Sequence, residues 1–230
     1  MSVDWLLGDF HIHSNMSDGG LPPSQIVDMF GQHGFDVLCI TDHCLDRRTL
    51  EESPDATVVR KGEFDKYLRV LWKESQRAWE KYQMLLIPGV ELSNNWGKYH
   101  ILAIDIKEYI DPSLSVEEIV ERIHEQGAIA VACHPHHKTS EGAQPFIHLW
   151  EEHERYKDLF DAWEVGNRDD LFNVIGLKKF NYIANSDFHA PWHLYSWKTL
   201  LKCEKNSEAV KAAIRENRFV AIYLYRKTAR

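Results

Sequence analysis

Apolar runs of strand length recur along the whole chain, and one after another they end on a histidine or a carboxylate. Val37 to Ile40 leads into Thr41-Asp42-His43, Pro88-Gly89-Val90 into Glu91, and Val131-Ala132-Cys133 into His134-Pro135. Asn181 to Ala184 leads into Ser186-Asp187-Phe188-His189, and Tyr99-His100-Ile101-Leu102 carries a histidine near its start. Between these runs lie segments with apolar residues at helical spacing. Apolar strands separated by helices read as β/α units packed on both faces. In a barrel of such units the carboxyl ends of the strands form one rim, where the chemistry is kept. The expected fold is therefore a single-domain α/β barrel over residues 1–230, mostly parallel, with its donors gathered at the mouth.

Asp9-Phe-His-Ile-His13 is the densest of these pieces. On a strand, alternate side chains share a face, so Asp9, His11 and His13 would project together while Phe10 and Ile12 face the opposite layer. Two imidazoles so placed can grip one divalent metal, with a carboxylate behind them to fix the tautomer. Polar alternation on an exposed strand has the same appearance, so this pair alone does not establish a site. The distribution of the 13 histidines does, because five directly follow apolar β-runs with a carboxylate or another histidine close by.

A chain of 230 residues buries a substantial core without disulfide staples. Cys39, Cys44, Cys133 and Cys203 show no paired spacing, which fits reduced thiols in a cytoplasmic protein. Cys44 follows His43 directly and lies within reach of a metal held there, although a packed thiol is the stronger reading. No stretch approaches a membrane span, and the N-terminus lacks the basic and apolar regions of a signal peptide. The formal charge of −8 argues against an extended nucleic-acid surface. Basic clusters such as Lys178-Lys179 and Arg226-Lys227 are too small for a phosphate-tracking stripe. A small anionic substrate is still allowed, because bound metal reverses the sign of a pocket.

Helices are expected over 23–33, closed by Gly34, over 64–81, from a capping box at Ser115 to Gly127, and over 207–217. In the second, Phe64, Tyr67, Leu68, Leu71, Trp72 and Trp79 read as core-facing. Strands are expected over 6–12, 37–40, 84–90, 99–104, 129–133, 162–165, 181–184 and 219–225. Residues 44–62 read as a polar surface loop or lid. His33, His124, His148 and His153 fall in helical segments and read as ordinary.

Asp9-Phe-His-Ile-His13, Ser17-Asp18-Gly19, Thr41-Asp42-His43, Gly89-Val90-Glu91-Leu92, His100, His134-Pro135 and Ser186-Asp187-Phe188-His189 together resemble the ordered motifs of the PHP family. That family includes the polymerase-associated PHP domain and a histidinol phosphatase. The resemblance runs from residue 9 to about residue 220. It implies a distorted (β/α)7 TIM-like barrel with two to three divalent ions (manganese, zinc or iron) and phosphoesterase chemistry. Carried over by position, one ion would be held by His11, His13, Glu91 and Asp187. A second would take Asp18, His43 and His189, and a third Glu91, His100 and His134, making Glu91 a bridge. Relatives often have histidine near Asp18, and Ser-Asp-Gly by itself is an ordinary turn. Asp9 and Asp42 are expected to orient ligands, although buried capping carboxylates would look the same.

The implied mechanism is attack on phosphorus by a hydroxide generated between metals about 3.5–4 Å apart. Lys138 and Arg168 are candidates for neutralising the equatorial oxygens, with solvated loop charges as the equal alternative. His193, His136 and His137 lie beside ligand motifs, and any of them would serve to protonate a leaving group. The substrate would be a small phosphomonoester or terminal phosphodiester, of which a nucleotide or oligonucleotide end is one form. Some nucleotide-acting relatives carry an inserted domain, for which His100 and His134 are too close here. Trp96 and Trp192 flank the motifs and would offer a face to a flat leaving group, if they do not merely pack the rim. The alternatives are a histidinol-phosphatase-like enzyme, a C–N hydrolase of the amidohydrolase type, and a catalytically silent interaction module. The second of these wants a lysine at a central strand end, and Lys98 and Lys107 are not so placed.

Overall fold

The computed structural model describes residues 4–135, 147–168, 170–172 and 180–226. Strand β1 (Trp5–Asp9) leads through helix α1 (Pro23–Gln32) to strand β2 (Val37–Ile40), which lies parallel to it. Proline at the first turn of α1 suits the fixed φ required there. The helix buries Ile26, Val27 and Phe30, and the chain turns off it where Gly34 takes φ 76°. Strand β3 (His43–Leu45) and helix α2 (Arg47–Glu52) follow. The 44–62 segment is thus partly ordered rather than a plain loop. Asp46 explains why, since its side chain caps α2 by accepting from Thr49 N at 3.0 Å.

Helix α3 (Phe64–Tyr82) sets Phe64, Tyr67, Leu68, Leu71 and Ala78 inward, as its spacing predicts. Trp72 and Trp79 are corrections. They are 51% and 44% exposed, because each sits one residue beyond the buried stripe, about 100° round the helix. Strand β4 (Leu85–Asn94) is parallel to β2 and to β3, so that His43 stands opposite Glu91. Strand β5 (Tyr99–Ile104) is antiparallel to β4, since residues 95–98 are too few for a crossover connection. Helix α4 (Val116–Glu125) opens with the expected capping box at Ser115 and Glu118, and strand β6 (Ile129–Ala132) follows. Short helices α5 (His148–Glu151) and α6 (His153–Tyr156) precede strand β7 (Ala162–Asn167), which is parallel to β6. Strands β8 (Asp170–Leu171) and β9 (Tyr182–Asn185) both pair with β7. Strand β10 (Trp197–Lys202), helix α7 (Ser207–Glu216) and strand β11 (Val220–Leu224) complete the order.

The sheet runs β11-β10-β1-β2-β4-β5-β6-β7-β8, with β3 on β4 and β9 on β7. It curls until β9 returns to β1. Phe10 N donates to Asn185 Oδ1 at 2.9 Å, Phe188 N to His11 O at 3.1 Å, and His13 N to Phe188 O at 2.8 Å. The inside of the curl is filled by alternate strand residues such as Leu6, Val37, Ile87, Leu102, Val131 and Ile183. Helices α1, α3 and α4 pack on the other face, while α7 sets Val210 and Ile214 against the inner residues. This is a mixed α/β half-barrel, and the expectation of a mostly parallel sheet is corrected. Five of the ten strand pairings among the described residues are antiparallel, so the strands do not trace a regular succession of parallel β/α units.

Candidate metal centre

Glu91 is the hub of the carboxyl-end rim. It is fully buried, yet five histidines converge on its two oxygens. His11 Nε2, His13 Nε2 and His43 Nδ1 lie 3.2, 3.2 and 3.1 Å from Oε2, and His100 Nδ1 and His134 Nε2 lie 2.7 and 3.2 Å from Oε1. Burial alone would raise the pKa of such a carboxyl, but the rings of His43, His100 and His11 hold it well below the usual range. Asp187, at φ 48°, stands 3.5 and 3.4 Å from the same nitrogens of His11 and His13. Against burial, His11, His13 and His189 keep its carboxyl charged. His11 in turn keeps a proton well above its ordinary range, because Glu164, Glu91 and Asp187 outweigh its burial. His13 is raised to about 9 by Asp187 and Glu91 in spite of burial. Its neighbour His43 is pushed down to about 3, chiefly by burial.

Three donor groups emerge, each with ligand atoms within 4.8 Å of one another. They are His11 with His13 and Asp187; His13 with Asp18, His43 and His189; and His11 with Glu91, Cys133 and His134. The donor types suit a divalent ion. His13 supplies the test of fit: it is buried, and neither ring nitrogen makes a hydrogen bond among the described residues. Its Nε2 faces two carboxylate oxygens at 3.2 and 3.4 Å, a position that either a second ring proton or a divalent ion satisfies, and an ion would serve Glu91 and Asp187 as well. His100 lies outside these groups, holding Glu91 with Nδ1 and Asn95 Oδ1 with Nε2 at 3.0 Å. Asp18 is drawn in by a tight turn. Gly19 N donates to Ser14 O at 2.9 Å, and a Cβ on Gly19 would meet the carbonyl of His13. Its Oδ2 reaches His189 Nε2 at 3.2 Å.

The carboxylate that orients His11 is Glu164, which the residue pattern did not single out. Its Oε1 takes His11 Nδ1 at 3.0 Å, leaving Nε2 to face the cluster, and its Oε2 takes His134 N at 2.8 Å. Asn167 and Asn185 also donate to it. A charged residue inside the apolar run 162–165 was the available signal. Asp9 does something else. β1 ends at Asp9, and Phe10 and Ile12 pack in different layers, so strict alternation fails there. Asp9 instead accepts from Ser186 Oγ at 2.6 Å and faces buried Lys198 at 3.2 Å, which holds the loop before Asp187. Asp42 accepts from Ser14 and Ser17 and fastens the turn carrying Asp18. Cys44 packs in the core, away from every donor group described.

No family model matches the chain. An uncharacterised protein of Methanocaldococcus jannaschii is 26% identical, covering 74% of this chain and 89% of that protein. A two-domain Bacteroides vulgatus protein, described as containing a predicted PHP-like metal-dependent phosphoesterase, superposes with a TM-score of 0.72 at 23% identity. That match covers 97% of this chain and 66% of the other, so the chain spans just under two thirds of it. The chain has the PHP-like fold. An amidohydrolase from Chromobacterium violaceum, solved with bound sulfate and no metal, has a TM-score of 0.53 at 15% identity, over 80% of this chain and 88% of that one.

On this PHP-like frame Arg168, at φ 49°, leans over the cluster. Its Nη2 lies 3.2 Å from Asp187 Oδ2 and 3.1 Å from His189 Nδ1, with the side chain 40% exposed. His193 Nδ1 accepts from His189 N at 3.0 Å, so that nitrogen steadies the loop. Lys138, His136 and His137 lie outside the described residues. A cleft of about 460 Å³ opens beside the donors, between Ser17, Asp18, His43 and His100 and the 44–62 segment's Leu45 and Ala56 to Val58. Trp192 is 71% exposed in the turn Pro191–Leu194, whereas one face of Trp96 is covered by the Arg48 guanidinium, 3.0 Å from its centroid. Among the described residues no helix is long and apolar enough to cross a membrane.

Proposed function

We propose that the protein is a metal-dependent hydrolase of a phosphate ester, either a small phosphomonoester or a terminal phosphodiester. The observation that carries this reading is the convergence of five histidines on the one buried carboxylate of Glu91. His13 and Asp187 would hold one ion, His11 would give its one free nitrogen, Nε2, either to that ion or to one held with Glu91 and His134, and Asp18, His43 and His189 would hold the ion nearest the cleft. Bound there, divalent ions supply positive charge at the reacting oxygens and lower the pKa of water toward neutrality.

The chain's own residues do the rest. Glu164 keeps His11 in the tautomer that faces the ions, and Asp9 and Asp42 hold the two loops that carry Asp187 and Asp18. Arg168 spans the edge of the cluster with donors to spare, so a phosphoryl oxygen entering there meets a guanidinium already aligned by Asp187. His193 sets the height of His189. The cleft wall of Leu45 and Ala56 to Val58 accepts the leaving group and excludes water from one side of it. Trp192 offers an exposed face to a flat group such as a base. Hydrolysis of a C–N bond is the second reading, favoured by the likeness to the amidohydrolase. Lys198, the buried lysine that such chemistry would call on, is committed to Asp9 and Ser196.

The test is a panel of phosphate monoesters, terminal phosphodiesters and amides assayed with Mn2+, Zn2+ and Fe2+. Phosphate-ester turnover that a chelator removes and metal restores is the expected outcome. Amide turnover with none on any phosphate ester would overturn the reading.

A further inference from the structure

Cys133 stands where ordinary strand geometry would not put a donor. Successive residues of a strand face opposite sides, so Cys133 and His134 should diverge. They converge instead, because β6 has ended at Ala132, His134 turns at φ 20°, and its backbone N–H is fastened to Glu164 Oε2 at 2.8 Å. The Cys133 sulfur, almost fully buried, then shares a 4.8 Å cluster with donor atoms of His11, Glu91 and His134. We propose that Cys133 is a metal ligand, completing a closed position of two histidines, one carboxylate and one thiolate. The inference rests on the metal-dependent reading given above.

A buried thiol among apolar residues is ordinarily inert packing; Cys39 and Cys44 fit that description, and Cys133 shares the inner apolar cluster with Cys39. Cys133 differs because three further donors meet it. A second observation is independent of the sulfur. His13 is buried, hydrogen-bonds through neither ring nitrogen among the described residues, and aims Nε2 at Glu91 Oε2 from 3.2 Å. The pocket around Glu91 is therefore arranged for an ion. When the metal–sulfur bond forms, the thiol proton leaves to solvent, and the thiolate with Glu91 balances the charge of a divalent ion. Four protein donors around one ion are the pattern of a tightly held position. A thiolate among them favours zinc or another soft ion over manganese and magnesium. The Asp18, His43 and His189 position, which borders the cleft, has only nitrogen and oxygen donors and stays open to exchange.

The test uses the full chain loaded with one equivalent of Co2+ or Zn2+ after chelation, with bound metal counted by elemental analysis. Wild type should show a sulfur-to-cobalt charge-transfer band in the near ultraviolet. With zinc, X-ray absorption should find sulfur at about 2.3 Å, beyond the nitrogen shell at about 2.0–2.1 Å. Cys133→Ser should lose the band, and Cys44→Ser should keep it. Should Cys133→Ser fail to fold, the zinc-edge measurement on wild type still decides. Bound metal without sulfur, or a band that survives in Cys133→Ser, overturns the inference and leaves the metal centre standing. A chain that binds neither ion overturns both.

Discussion

A buried carboxylate touched by five imidazoles has no counterpart in ordinary core packing, and its removal separates the possible roles of Glu91. If Glu91 links ions, Glu91→Gln should strip more than one of the two to three expected per chain, as counted by elemental analysis. Loss of a single ion would confine Glu91 to one position. Asp187 bears on turnover instead. It touches His11, His13, His189 and Arg168 at once. Asp187→Asn should therefore lower kcat by about 10²-fold or more, the usual weight of a group that activates the nucleophile. A change under threefold would remove it from the reacting ensemble. These residues were legible in the sequence because each ends or borders an apolar run, so a polar donor there has the rim as its natural place. Glu164 and Cys133 were not, since both lie inside runs that strand alternation assigns to packing. Only the kink at His134 and the donors around Glu164 show otherwise.

At the scale of elements, α1 and α3 are tied by one carboxylate. Asp28 accepts from Arg77 Nη1 at 2.7 Å, Tyr82 OH at 2.8 Å and Lys81 Nζ at 3.0 Å. The Arg77 hydrogen bond is the main reason its carboxyl is lowered to about 2. An unfolded chain has that group near 3.9 and takes up the proton first as pH falls. The stabilisation is therefore complete above about pH 4 and is lost as pH falls through about 2. Asp28 is partly exposed, so solvent screening limits the loss to about 1 kcal/mol or less. Thermal melts of wild type and Asp28→Asn should differ at pH 6 and converge toward pH 2; a difference that does not depend on pH would assign the effect to packing. Element existence was readable wherever a period was clean, as in α3 and α4. β10 was missed because Trp-Lys-Thr-Leu-Leu-Lys reads as amphiphilic, and its Lys198 is buried against Asp9 through a pairing set by residues far away in sequence. The antiparallel β4–β5 pair was implicit in its short turn.

For the molecule as a whole, curling the sheet sets the Asp9–His13 segment beside Asp187 and Phe188, and no local pattern announces that closure. The same closure would couple folding to any metal held there. Donors from β4 and from the segments that follow β1, β6 and β9 meet at one point only in the folded chain, so an ion that needs several of them binds the native state and not the unfolded one. Ligand held at 100 times its dissociation constant then adds about 2.7 kcal/mol. In a protein of this size each kcal/mol shifts Tm by about 2–4 °C, which makes the expected rise about 5–11 °C for a single ion. Melting curves of chelated protein with and without added Zn2+ or Mn2+ measure it directly. Glu91→Gln, which disturbs the hub, should show most of that rise abolished, while Asp28→Asn, on the far helices, should show it intact. Equal melting temperatures with and without saturating metal would mean that the donors do not close on an ion, and the reading of the rim as a metal centre would fall with them.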